Sequence, residues 1–175
     1  MKGLSLTQPW ATLVAIKAKR IETRSWSTNY RGVVAIHAAK AMPTHALDFC
    51  YSDPARTCLR DALGPKIWRR ELPLGAIIAV ARLTDCRRIH EGQVSDAWKL
   101  GDTVFLPTDE RELAFGDYTA GRWMWFLCKI RQLSTPIPCR GALGLWELTP
   151  EVILQINAQL GIDAEVAFDE QVGCH

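Results

Sequence analysis

Three stretches of the chain carry helical patterns, and in the first and the last of them apolar residues lie three and four positions apart, the spacing of one face of a helix. The first follows Thr7, which can cap a helix, and Pro9, which fits its first turn, and it predicts a helix of about three turns. The second, over residues 44–70, mixes alanine, leucine and charged residues and is interrupted twice by proline. It predicts a helical excursion outside the sheet. The third, after Pro150, predicts an amphipathic helix packed on the body of the protein.

Other stretches carry the patterns of strands, either alternation of polar and apolar residues or runs of β-branched residues. Residues 20–26 alternate, and the run between Gly32 and Ala38 predicts a buried strand. Further strands are predicted over residues 75–86, 103–106, 122–133 and 144–148. Early helices followed by many strands favour an α+β domain whose sheet curls into a small barrel.

Composition is typical of a single globular domain. The chain has 175 residues, 48% of them hydrophobic and 23% charged, which is enough to bury one core. No apolar run approaches the roughly 20 residues that a membrane-spanning helix needs, and no signal-peptide core follows Met1. We therefore expect a soluble, cytoplasmic protein with no membrane partner. Six cysteines are too few for a disulfide framework, and no Cys-x-x-Cys pair indicates zinc or redox chemistry.

Charge is distributed unevenly, although the net charge is only +2. Residues 1–45 hold seven lysines and arginines against a single glutamate, whereas residues 147–175 hold six acidic residues and no lysine or arginine. The basic end suggests an anionic ligand. Two solvated surfaces of opposite charge explain the same distribution.

The segment from Lys17 to Trp26 combines cations, a carboxylate and an indole. Strand alternation puts Glu22, Arg24 and Trp26 on one face, with Lys19 at the corner where the first helix ends. Arginine and lysine suit phosphate, tryptophan stacks on a base, and glutamate accepts from an amino or imino edge. The pattern predicts a nucleotide pocket. A solvated edge strand with an arginine–glutamate pair accounts for it as well.

Motifs along most of residues 4–148 resemble the ASCH domain. They are LSLTQPWA at residues 4–11, Lys19-x-x-Glu22-x-Arg24, AIHA at 35–38, FGDY at 115–118, GRW at 121–123 and GALGLW at 141–146. The family signature is Gly-x-Lys-x-x-Glu-x-Arg, and Lys17 stands where glycine is expected. The chain is similar to stand-alone members of prokaryotic or phage type.

The resemblance implies a PUA-like fold, an α+β pseudobarrel of about five to six strands with flanking helices. Residues 1–148 are expected to form this domain. Residues 149–175 are expected to form an acidic C-terminal helix and tail that pack on it.

An RNA-associated function is also implied, because PUA-like relatives bind RNA or read modified bases in a cleft beside the barrel. The expected partner is single-stranded RNA, or a nucleobase or nucleoside. The candidate ligand-binding residues are Gln8, Trp10, Lys17, Lys19, Arg20, Glu22, Arg24, Trp26 and His37. For His37, which lies inside an apolar run, a bond to a backbone carbonyl is the commoner explanation.

A hydrolase is the alternative function. Members that hydrolyse the acetyl amide of N4-acetylcytidine use a lysine, a threonine three residues later and a glutamate; Lys19 matches, but Glu22 stands in the place of the threonine. A metal-independent ribonuclease is the other possibility. The catalytic residues would then be Lys19, Glu22, Arg24, Glu112 and Asp117. For Glu112 and Asp117 a polar loop is the commoner explanation, because such residues often line turns.

No cofactor and no metal is predicted. Cys86 and His90 form the one suggestive pair of ligands, and a second pair to close a tetrahedron is missing from the pattern. A third interpretation is a protein adaptor whose acidic C-terminal helix docks a partner.

Overall fold

A computed structural model describes residues 1–64, 72–91 and 110–161, together with the backbone of residues 98–100 and 103–105. Within these ranges the chain forms eight strands and five helices. In chain order they are β1 (Lys2–Leu6), α1 (Trp10–Ala15), β2 (Ile21–Arg24), β3 (Gly32–Ala38), α2 (Thr44–Cys50), α3 (Ala55–Leu63), β4 (Ala76–Arg88), β5 (Trp98–Leu100), β6 (Thr103–Phe105), α4 (Glu110–Ala114), β7 (Trp123–Pro138), β8 (Leu145–Glu147) and α5 (Pro150–Leu160).

Six of the strands form one curled sheet in the order β2-β7-β4-β3-β1-β8. Strands β1 and β3 pair in parallel, and all the other neighbours in this sheet are antiparallel. The long pairing of β4 with β7 contains three shifts of register. Such bulges bend a strand and increase its twist, which is how a sheet of this size curls towards a barrel. Strand β2 lies at one edge, and this edge carries the candidate site.

Strand β3 is buried on both faces, as its unbroken apolar run predicts. Val34 and Ile36 point into a core shared with helix α1, whereas Val33 and Ala35 point into a second core that helix α5 covers. Because successive side chains of a strand alternate between faces, both sets must be apolar. The predicted boundaries of this strand agree with the structure.

Helix α1 is shorter than the sequence predicts. It has six residues, because the chain turns at Lys17, whose φ is 65°. The hydroxyl of Thr7 does not cap it. Instead the buried Gln8 accepts a hydrogen bond from the backbone N–H of Thr12 at 3.1 Å and donates to the carbonyl of Pro73 at 2.8 Å. Gln8 thus satisfies one of the open donors at the start of the helix.

The remaining elements follow the prediction with five differences. Strands β1 and β5 and helix α4 are not predicted by the pattern, β7 continues to Pro138, and β6 pairs with β5 in a separate two-stranded sheet. Helix α5 agrees with the predicted C-terminal helix and buries Ile156 and Leu160. The acidic tail beyond it, like part of the 44–70 excursion, lies outside the described residues.

None of the helices in the described ranges has the length and apolar character needed to cross a membrane.

Candidate functional site

Lys19 is completely buried beneath the start of β2. Its ammonium donates a hydrogen bond to the carbonyl of Ile21 and lies 3.7 Å from Glu22 Oε2 and 3.9 Å from Glu112 Oε1. A buried ammonium is tolerated when it is paired and hydrogen-bonded. Lys19 therefore acts as an internal cation that balances two carboxylates.

Glu112, on helix α4, binds the backbone of the segment that leads into β2. Its carboxylate accepts from the N–H of Arg20 at 2.7 Å and from the N–H of Ile21 at 3.0 Å, and the Tyr118 hydroxyl donates to it at 3.5 Å. Burial and the neighbouring carboxylates of Glu112 and Glu22 raise the pKa of Tyr118 well above its usual range, so this hydroxyl keeps its proton. These bonds hold the α4 region against the free edge of β2.

Glu22 and Arg24 lie together on one face of β2, as strand alternation predicts. Arg24 Nε is 3.2 Å from Glu22 Oε1, and another guanidinium nitrogen of Arg24 donates to the carbonyl of Ser5 at 2.8 Å. In spite of its short distance to Glu22, the buried Nε of Arg24 makes no hydrogen bond. No group in the described ranges donates a hydrogen bond to the carboxylate of Glu22, although its side chain is only 12% exposed.

A cavity of about 370 Å³ opens beside these residues. It is lined by Trp10, Glu22, Thr23, Ala114, Phe115, Gly116 and Asp117. We call it the β2 pocket. Its lining residues contribute an indole, a phenyl ring and two carboxylates, and they include no lysine or arginine.

The loop of residues 115–118 forms one wall of the β2 pocket and is tied to β2. The backbone N–H of Asp117 donates to Thr23 Oγ1 at 3.0 Å. Gly116 permits this approach, because a Cβ there would lie 3.1 Å from Thr23 Cγ2 and 2.8 Å from the ring of Tyr118. The Asp117 carboxylate is exposed and accepts from Thr119, which lowers its pKa. It also pairs with Arg122 at 3.3 Å.

The two tryptophans that flank the cationic motif are used differently. Trp10 lines the β2 pocket and stacks on Phe49 with ring centroids 5.0 Å apart and planes 12° from parallel. Trp26 lies outside the pocket lining, edge-on to Trp125 at 4.6 Å, and its carbonyl accepts from the Trp125 indole at 3.3 Å. Trp26 thus packs on the core, whereas Trp10 is available to a ligand.

His37 is closed inside a polar cluster on the other side of the sheet. Its Nε2 lies 3.2 Å from the carbonyl of Cys139, its Nδ1 lies 3.3 Å from Ser5 Oγ, and its ring meets Trp146 edge-on at 5.7 Å. Because Nε2 faces a carbonyl, which can only accept, a neutral ring carries its proton on Nε2. Burial lowers the pKa of His37, against the opposing effect of the Cys139 carbonyl.

The structure thus brings together only part of the set predicted from the sequence. Trp10, Glu22 and Asp117 line the β2 pocket; Lys19 and Arg24 lie beside Glu22, and Glu112 lies on Lys19. Lys17 and Arg20 are exposed in the turn before β2. Gln8, Trp26 and His37 form bonds and contacts elsewhere. In the described part of the chain, no group of three or more histidine, cysteine, aspartate or glutamate residues is arranged to hold a metal ion.

The sequence model of the ASCH domain matches residues 4–133, which contain both β2 and the 115–118 wall. The chain belongs to the ASCH domain family. Curated relatives include Activating signal cointegrator 1 from Homo sapiens, 25% identical over 155 residues, and its counterpart from Mus musculus, 25% identical over 153 residues. Each alignment covers 85% of this chain but 22% of the relative, so the chain spans about a fifth of the length of these proteins.

A solved ASCH structure confirms the fold of this ASCH domain. The crystal structure of ASCH from Zymomonas mobilis matches with a TM-score of 0.52 at 13% identity, covering 90% of this chain and 93% of that one. At this identity the likeness concerns the fold alone. The predicted α+β class and PUA-like pseudobarrel are confirmed.

The ASCH signature also explains the backbone at Lys17. This residue stands where the signature has glycine, and it adopts a left-handed conformation with φ of 65°. The N–H of Lys17 donates to the carbonyl of Val14 at 2.9 Å, which ends helix α1. Glycine reaches this conformation without steric cost, whereas a residue with a Cβ is strained there. The turn is therefore kept in this chain in spite of the substitution.

Sequence reasoning did not single out four lining residues of the β2 pocket, Thr23, Ala114, Phe115 and Gly116. Phe115 and Gly116 belong to the FGDY motif that supported the family resemblance. That motif was the one sequence feature that could have indicated this wall of the pocket. No sequence feature pointed to Thr23 or Ala114 as lining residues.

Proposed function

We propose that this ASCH domain binds single-stranded RNA and holds one base, or a free nucleoside, in the β2 pocket. The observation that carries the proposal is the position of Trp10, which lines an open cavity and is held by stacking on Phe49. Aromatic side chains at such sites stack on unpaired bases. We propose that the protein binds this RNA in the cytoplasm.

The distribution of charge supports separate binding sites for the base and for the phosphates. The residues that line the β2 pocket include two carboxylates and no lysine or arginine, so the pocket itself is a poor site for phosphate. Lys17 and Arg20 are exposed in the turn that precedes β2. We assign the phosphate backbone to this turn and the base to the pocket, which separates two roles that the sequence had placed together.

The hydrolase alternative receives less support from the geometry. Lys19 is fully buried, donates to the carbonyl of Ile21 and does not line the β2 pocket. A general base or nucleophile has to reach its substrate. Incubation with N4-acetylcytidine and with labelled RNA in the presence of EDTA tests this directly. Turnover that disappears in both Lys19→Ala and Lys19→Arg, while thermal melting shows both variants to be folded, would favour catalysis over binding, because arginine cannot accept a proton.

Salt dependence tests the RNA proposal. Each phosphate contact to a single strand lowers the slope of log K against log salt by about 0.7, so binding of a fluorescent pentanucleotide should weaken between about 50 and 200 mM salt. Lys17→Gln and Arg20→Gln should each make the slope shallower by about that amount. Lys40→Gln, at another exposed lysine, is the matched control and should leave it unchanged. An affinity that is independent of salt contradicts the phosphate part of the proposal.

A further inference from the structure

The carboxylate of Glu22 has unused capacity to accept hydrogen bonds. It lies near Lys19 and Arg24, at 3.7 and 3.2 Å, yet neither contact is a hydrogen bond, and no other described group donates to it. A carboxylate has two oxygens with about four acceptor positions. The oxygens of Glu22 are not fully buried, so solvent or a ligand can reach them and donate the missing hydrogen bonds. Glu22 lines the β2 pocket, so a ligand there can supply them.

Glu112, in the same cluster, is a carboxylate that accepts hydrogen bonds from the protein itself. It also faces Lys19, at 3.9 Å, but it accepts from two consecutive backbone N–H groups at 2.7 and 3.0 Å and from the Tyr118 hydroxyl. Its acceptor positions are used within the protein. Of these two glutamates that share one lysine, Glu22 is the one whose acceptor positions await a ligand.

A carboxylate with both oxygens available is complementary to two adjacent N–H donors. Among the standard bases, guanine carries such a pair on its Watson–Crick edge, the N1–H and the 2-amino group. Adenine and cytosine offer a single amino donor beside a ring acceptor, and uracil offers one N–H between two carbonyl oxygens. A ring nitrogen or carbonyl turned towards a carboxylate is repelled.

We infer that the β2 pocket selects guanine, stacked on Trp10 with its N1–H and 2-amino group donating to Glu22. The inference rests on the proposed function and names the base that it binds. The charge of Glu22 is already balanced by Lys19 and Arg24, so a neutral base is enough and no cationic ligand is required.

The test changes the ligand first, because this leaves the protein intact. Fluorescent pentanucleotides of uridine that carry guanine, inosine, N1-methylguanine, adenine or cytosine at the centre are titrated with the full chain at low salt. Inosine lacks the 2-amino group, and N1-methylguanine lacks the N1–H. A bidentate contact to a base is worth about 5- to 150-fold in discrimination, so we expect guanine to bind at least about fivefold more tightly than either.

The second arm changes Glu22. In Glu22→Gln one acceptor oxygen becomes a donor, so the preference for guanine over inosine should fall to near unity. Thermal melting of Glu22→Gln reports whether it folds. Glu110→Gln, at an exposed glutamate on α4, should keep the full preference.

Different results overturn the guanine preference and RNA binding. Equal affinity for guanine and inosine in the wild type, or a preference that persists in a folded Glu22→Gln, overturns the guanine inference and leaves RNA binding intact. No binding of any pentanucleotide at low salt overturns the proposed function itself.

Discussion

The β2 pocket and the His37 cluster lie on different strands of one sheet, and both belong to motifs that resemble the ASCH signature. His37 is enclosed, with both ring nitrogens engaged by Cys139 and Ser5. Glu22 lines a cavity and accepts no hydrogen bond from any described group. The contrast separates a polar residue that serves the fold from one that is free to serve a ligand. The criterion is whether groups of the protein itself form hydrogen bonds with the polar side chain.

The first prediction concerns the packing of the enclosed His37 cluster. Gly141 packs directly on His37, because a Cβ there would lie 2.4 Å from His37 Cε1 and 2.8 Å from Ser5 Oγ. Gly141→Ala should lower the free energy of unfolding by up to about 3 kcal/mol through overpacking, measured by urea denaturation. Leu143→Ala, at a residue that is 98% exposed, is the control and should change it by less than about 0.5 kcal/mol. A Gly141→Ala protein as stable as the wild type contradicts the closed cluster.

The second prediction separates ligand stacking by Trp10 from core packing by Trp26. Trp10→Ala should weaken RNA binding by about 1–3 kcal/mol, because it removes the stacking surface of the β2 pocket. Trp26→Ala should lower stability by about 2 kcal/mol, less than for a fully buried tryptophan, while its folded fraction binds normally. Fluorescence anisotropy and thermal melting of both variants decide between them. The assignment is wrong if the two variants show the reverse pattern.

The third prediction concerns pH and the His37 cluster. Burial lowers the pKa of His37 in the folded chain below its ordinary value of 6.5, so the unfolded chain takes up the proton first. The contribution of His37 to stability should therefore be complete above about pH 6.5 and should decline as the pH falls towards its folded pKa. Urea denaturation as a function of pH should show less of this decline in His37→Gln. In His45→Gln, at an exposed histidine on α2, the decline should match that of the wild type.

The smallest effect is expected at Lys17. Lys17→Gly should raise stability by about 0.5–1 kcal/mol, because it relieves the left-handed conformation at some cost in the entropy of the unfolded chain. Lys17→Ala keeps the Cβ and is the control, which should show no such gain. Both variants should weaken RNA binding equally, since each removes the same cation. Unequal RNA affinities would mean that the turn geometry, and not the charge, governs binding.

Local patterns predicted β2, the strand that carries the site, but neither helix α4 nor which residues line the pocket. Alternation placed Glu22 and Arg24 on one face of a strand, and the structure agrees. The burial of Lys19 depends on Glu112, which is brought to the same place only by the fold. The bond between Glu112 and the backbone of Arg20 spans 92 positions of sequence. A motif can indicate such residues, but periodicity cannot show which of them meet.

The same limit applies to residues that the sequence groups in one ligand-binding set but that make different contacts in the fold. Trp10 and Trp26 looked equivalent on either side of the cationic motif, and packing against Phe49 or Trp125 distinguishes them. Gln8 looked available to a ligand, but both ends of its amide are bonded to the backbone. Whether a polar side chain is satisfied depends on its tertiary neighbours, which a single sequence does not contain.

The most direct test of the account is a crystal structure of the protein bound to a short single-stranded RNA that contains one guanine. We expect one base stacked against Trp10 within the β2 pocket, its edge on Glu22, and the adjoining phosphates beside Lys17 and Arg20. A complex in which the β2 pocket stays empty while RNA lies along another face of the sheet would contradict it.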